Sequence, residues 1–195
     1  MLVGMAGGVQ TYMRLLRICF FVLLAAVAPG QEETFVPAND VSFAVTTETR
    51  SYRAGEQVIV RYEITNVSNG RVFVPREWDS KCPASPHIWA WFENSSGRHF
   101  MPGYAGDCSP SKEMVVERMK RDAVLLKPGQ RLEGHLSLQT NLFGGLKPGA
   151  CRIEVVLYGW SDKEFDENEL KELQVMHGRF MRGVVPASTR IMLTR

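Results

Sequence analysis

The chain has 195 residues, 45% of them hydrophobic and 23% charged, with a formal net charge of +2 at pH 7. That length accommodates one domain with its own core, and those proportions exclude a disordered or fibrous chain. A charge so near balance lacks the basic surplus with which a nucleic-acid binder neutralises phosphates, so no nucleic-acid partner is expected.

Arg14 and Arg17 precede the apolar run from Ile18 to Ala28, which ends in small residues followed by Pro29 and Gly30. A positive segment, a short apolar stretch and a small-residue exit are the layout of a secretory leader. The run falls short of the roughly 20 apolar residues that cross a bilayer, so no stable membrane span is expected once the leader is removed. Residues 1–30 are read as a signal peptide cut after Gly30, since a cut after Ala28 would leave Pro29 just beyond it. An uncleaved anchor is the alternative, and Met13 competes with Met1 as the start. Export to a periplasmic or secreted location follows as the expectation. Removing the leader takes away two arginines and no acid, so the 23 basic residues less those two match the 21 acidic ones.

From Gln31 to Asp40 the chain reads as a polar linker, and residues 41–195 read as one domain. Val41, Phe43 and Val45 alternate with smaller or polar residues, the pattern of a half-buried strand. Tyr52-Arg53-Ala54-Gly55-Glu56 reads as a turn, after which Val58, Val60, Tyr62 and Ile64 resume the alternation. Asn69-Gly70 is a residue pair that accepts positive φ in a tight hairpin, leading into a short strand over Val72, Phe73 and Val74. His87 to Glu93 makes the next strand and turns through Asn94-Ser95-Ser96-Gly97 into a partner at Arg98 to Met101. Strands are expected at Val115 to Met119, Ala123 to Leu126, Leu132 to Leu138, Arg152 to Tyr158 and Ser188 to Leu193. Between the last two, Asp166 to Gly178 opens with acids, carries Leu170, Leu173 and His177 on one stripe and stops at glycine, which predicts a helix. Short strands broken by glycine and proline give the fold class: all-β, an immunoglobulin-like antiparallel β-sandwich with one short helix inserted before the last strand.

Cys82 and Cys108 lie in turn-rich segments, whereas Cys151 opens an apolar run. The reading pairs Cys82 with Cys108, a closure that stabilises by roughly 3 to 4 kcal/mol on the chain-entropy view, and leaves Cys151 as a buried thiol. No Gly-x-Ser-x-Gly, His-Glu-x-x-His or phosphate-loop pattern occurs, so no catalytic residue is assigned and no cofactor is expected. Asp79, Cys82, His87, Asp107 and Cys108 can converge on a cation only if the disulfide does not form, and no metal site is assigned. On the strand from His87, Trp89 and Trp91 share a face opposite Ile88, Ala90 and Phe92. Exposed, the two rings suit a sugar or a protein partner; the competing reading covers them with the helix or with the segment between Cys82 and Cys108. Asn66-Val67-Ser68 and Asn94-Ser95-Ser96 fit the N-glycosylation pattern.

Tyr52-Arg53-Ala54-Gly55-Glu56-Gln57-Val58 and Glu63-Ile64-Thr65-Asn66-Val67-Ser68-Asn69, with the later Leu126-Lys127-Pro128-Gly129-Gln130 and Leu146-Lys147-Pro148-Gly149, resemble bacterial exported immunoglobulin-like modules. In order and spacing they are similar to the domain named for a bacterial intracellular proteinase inhibitor, over residues 41–160. The chain departs from that pattern in its leader, its late helix and Cys151, which stands where an aromatic is usual. The expectation is a non-catalytic extracytoplasmic binding or structural module with an unknown protein or glycan partner. The resemblance implies a second reading, a proteinase inhibitor presenting residues 102–113. A third is a carbohydrate-binding module using Trp89 and Trp91.

Overall fold

A computed structural model describes residues 34–76, 87–95, 97–100, 117, 119, 120, 123–140, 146–161, 163 and 165–195. Cys82, Cys108, residues 102–113 and the leader lie outside these residues, as do Asp79 and Asp107. The strands are β1 Phe35–Val36, β2 Val41–Thr47, β3 Ser51–Arg53, β4 Gln57–Asn66, β5 Val72–Pro75, β6 Ile88–Asn94, β7 Gly97–Phe100, β8 Ala123–Leu126, β9 Arg131–Gln139, β10 Gly149–Tyr158, β11 Arg179–Met181 and β12 Val184–Thr194. A helix, α1, spans Glu167–Gln174. The fold is all-β and sandwich-like, with the helix placed before the last two strands.

The described strands form three sheets, in the orders β3-β12-β10-β6-β7, β2-β4-β9 and β1-β11-β5-β8. Most neighbours are antiparallel; β1–β11, β11–β5 and β12–β3 run parallel. The period of two built these layers. Val58, Val60, Tyr62 and Ile64 of β4 are buried on one side, as are Cys151, Ile153, Val155 and Leu157 of β10. With Phe92, Leu138 and Met181 they belong to one core drawn from all three sheets. Within it, Gly134 stands opposite Tyr62, whose phenol ring occupies the space a Cβ there would need.

A second, aromatic cluster lies under the helix. Phe73 stacks on Phe180 at 4.7 Å, Trp160 meets Phe180 edge-on at 5.5 Å, and Phe35, Phe165, Met119 and Leu173 fill the rest. The helix begins at Asp166, whose carboxylate accepts from the Asn168 and Glu169 amides while Glu169 accepts from the Asp166 amide, a reciprocal cap. Leu173 is fully buried, with Leu170 and Met176 packed beside it.

Buried polar groups are spent on the backbone. The Asn66 Nδ2 donates to the Gly70 and Leu126 carbonyls at 2.7 and 2.9 Å, and its Oδ1 accepts from the Ser68 amide and hydroxyl. Thr140 accepts from the Gly55 amide and donates to the Glu56 carbonyl, which ties the turn before β4 to the end of β9. In the Lys127-Pro128-Gly129 turn, Gly129 adopts φ 73°, a conformation that favours glycine.

Several sequence expectations change. Residues 35–36 of the expected linker form β1, because Phe35 enters the aromatic cluster and Val36 the main core. Tyr52 and Arg53, read as part of a turn, belong with Ser51 to a strand that parallel pairing with β12 secures. Asn69-Gly70 makes no tight hairpin: neither residue has positive φ, and β4 and β5 belong to different sheets. The Asn66 and Ser68 side chains shape that crossing instead. Where a strand was expected at 115–119, the described residues Glu117, Met119 and Lys120 are helical. His177 does not continue the helical stripe; it is exposed at φ 53° beyond the helix end. The last strand starts at Val184, four residues before its expected start at Ser188, and accommodates Pro186 where, among the described residues, β10 is its only paired neighbour.

Candidate functional site

The outer face of the five-stranded sheet gathers the side chains the core does not use. Strand register places them in rows. Tyr158 pairs with Val184, Val156 with both Trp89 and Pro186, Glu154 with both Trp91 and Ser188, and Arg152 with both Glu93 and Arg190. Arg98 on β7 extends the last row from Glu93. Directly opposed residues lie on one face, so one end of the face is apolar and the other is charged.

The two tryptophans share this face, and their environments differ. Trp89 is 36% exposed, whereas Trp91 is 9% exposed beneath the Arg98 guanidinium, 5.0 Å above its ring. Arg98 is held there by Glu93 and Glu154, each at 4.0 Å. A cation over an indole face is attracted by the ring quadrupole, so the cover is a stabilising contact as well as a steric one. Tyr158, Val184 and Met192 are exposed on the same face. Among the residues whose burial is described, the solvent-facing aromatics of this face are thus Trp89 and Tyr158. The sequence reading named Trp89 and Trp91 and missed Tyr158, Arg98, Arg152 and Arg190. The signal that finds them is the outward parity of β10 and β12, which needs strand register to become one surface.

His87 packs edge-on against Trp160 at 5.2 Å, and its Nδ1 lies 2.9 Å from the Tyr158 carbonyl oxygen. Among the described residues no group of three or more His, Cys, Asp or Glu side chains is placed to hold a metal ion. Cys151 is a buried free thiol. Burial pushes its pKa up to about 11, which the Glu93 charge reinforces and a backbone hydrogen bond at Glu93 opposes. A thiol so raised is protonated at neutral pH and is a poor nucleophile.

The outer face of the three-stranded sheet carries a shallow depression of about 450 Å³ lined by Ala44, Thr46, Arg61, Glu63, Glu133 and His135. Its charges are largely tied up locally, Arg61 with Glu48 at 2.6 Å and Arg131 with Glu63 at 3.0 Å. Among the described residues no helix is long and apolar enough to cross a membrane.

No protein-family model and no curated protein matches the chain. Solved structures with some likeness include a β-glucosidase of Erythrobacter marinus, at 15% identity and a TM-score of 0.40, covering 79% of this chain and 15% of that one. A β-glucosidase of Listeria innocua in complex with glucose gives 13% identity and a TM-score of 0.35, covering 80% of this chain and 16% of that one. The CARDB domain of a Pyrococcus furiosus protein, in complex with di-metal ions, gives 9% identity and a TM-score of 0.37, covering 80% of this chain and 88% of that one. The chain spans only a small part of the length of the glucosidases it matches.

Proposed function

We propose that this chain is a non-catalytic binding module of the cell exterior, in which the sandwich is scaffold and the outer face of the five-stranded sheet engages a partner. The observation that carries this reading is the exposure of Trp89, Tyr158 and Val184 together at one end of this face, with the arginine row farther along the same sheet. Contiguous exposed apolar surface rimmed by polar groups marks interaction sites, and Trp, Tyr and Arg are the side chains that dominate binding energy when a partner desolvates them. A role without chemistry is further supported by how the buried polar groups are used. Asn66 and Thr140 direct most of their hydrogen bonds to backbone, and the Cys151 thiol is held protonated.

Site-specific photo-cross-linking in the producing cell tests this. A cross-linker at position 89 or 158 should give a discrete adduct, and one at position 133 on the opposite sheet should not. Adducts from position 133 alone would sink the reading.

A further inference from the structure

A single cross-strand row on the outer face of the five-stranded sheet holds Arg98, Glu93, Arg152 and Arg190, on β7, β6, β10 and β12. Arg152 and Arg190 are directly opposed, and like charges so placed destabilise a sheet. The available acids do not restore balance. Glu93 and Glu154 lie 3.8 to 4.0 Å from Arg98 and Arg152, and Arg190 forms no ion pair among the described residues. The Arg98 and Arg152 side chains are nearly half exposed, and Arg190 is exposed too. The row therefore presents a surplus of guanidinium charge to solvent, and an external anion is its natural complement.

The rest of the face says what kind of anion. At the strand rise of about 3.3 Å per residue, the Trp89 row lies about 13 Å along the sheet from the arginine row. Four strands set about 4.8 Å apart give the row a width of about 14 Å. Arg98, Arg152 and Arg190 are exposed along a sheet face, which matches an extended polymer better than a small ion. Guanidinium forks pair bidentately with carboxylates, and an exposed indole offers a flat apolar surface for the face of a sugar ring. Ser188 and Glu154, in the row next to the arginines, supply a donor and an acceptor for hydroxyls.

We infer that this face binds an acidic polysaccharide, with Arg152 and Arg190 holding sugar carboxylates and Trp89 stacking on a ring farther along the chain. The inference rests on the binding reading above and adds the ligand class.

The full chain is titrated with polygalacturonate, with a neutral galactan, with phosphatidylserine–phosphatidylcholine vesicles and with inorganic phosphate, following tryptophan fluorescence and electrophoretic retardation. Polygalacturonate should bind, the neutral galactan should bind at least tenfold more weakly, and affinity should fall as salt is raised. Arg190→Glu, with an unchanged or slightly raised thermal midpoint, and Trp89→Ala, with a midpoint lowered by a few degrees at most, should each weaken polygalacturonate binding at least tenfold, and Arg190→Lys should recover part of the loss. Equal binding of the neutral polymer, binding of vesicles or phosphate alone, or an Arg190→Glu variant that binds as well as the parent overturns the inference. Failure to bind polygalacturonate together with a discrete cross-link from position 89 removes the polysaccharide and leaves the binding face standing. Failure in both removes the two readings together.

Discussion

On the outer face of the three-stranded sheet Arg61 is tied to Glu48 at 2.6 Å and Arg131 to Glu63 at 3.0 Å, and the surroundings are small or polar. On the outer face of the five-stranded sheet Arg190 stands opposite Arg152, and Trp89, Tyr158, Val184 and Met192 are left in water. Each face contains one like-charged cross-strand pair, Glu63 with Glu133 on the first and Arg152 with Arg190 on the second. What separates the faces is exposed apolar surface. Neither exposed indole nor opposed arginine helps the folded state, so folding stability gives no reason to keep them together, whereas the proposed binding would.

The comparison is broken or sharpened first by turning from outside to inside on one strand. Phe92 is fully buried and Trp89, three residues earlier, faces out. Phe92→Ala should cost about 3 to 5 kcal/mol in denaturant unfolding, whereas Trp89→Ala should cost less than about 1 kcal/mol. Similar losses at both positions would mean that the outer face is structural. Next in size is Asn66→Ala, which strands two carbonyls and the Ser68 groups and should cost about 2 to 4 kcal/mol.

Cys151 gives a pH test. Its pKa rises from 9.0 to about 11 on burial, so between those values the unfolded chain releases a proton that the folded chain retains. The stabilisation is whole below pH 9 and is lost as pH climbs toward 11, by about 2 kcal/mol at the upper end. Unfolding free energies across pH 8 to 11 should therefore fall more steeply for the parent than for Cys151→Ala. Equal slopes would place the thiol in water.

The smallest effects address the two faces directly. Glu133→Lys and Arg190→Glu each replace a like-charged pair with an opposite one and should each stabilise by about 0.2 to 1 kcal/mol, read from denaturant midpoints. Only the second should also lose ligand. A loss of stability in Arg190→Glu would show that the arginine row supports the fold.

Much of the scaffold was legible because its strands obey a period of two. Val58, Val60, Tyr62 and Ile64 declare their buried side without reference to any other part of the chain. What escaped were features whose cause lies elsewhere in the sequence. β1 is two residues long and exists because β11 pairs with it; Pro186 disguised the start of β12; and the polar Asn66 is buried because backbone from two other segments surrounds it. The candidate face was half legible for the same reason. Parity identified Trp89 and Trp91 as neighbours, but the Arg98 that covers Trp91 comes from the next strand, and Tyr158 and Arg190 come from strands about 70 to 100 residues away.

The clasp of β1 by β11 sets a timetable for the chain. Phe35 aligns with Phe180 and Val36 with Met181, contacts between residues 145 apart in sequence. Such distant partners slow closure and leave early segments waiting. A nascent chain emerging residue by residue cannot complete either hydrophobic interior until nearly all of it is free, so it should stay open, and threadable through a narrow pore, for most of its synthesis.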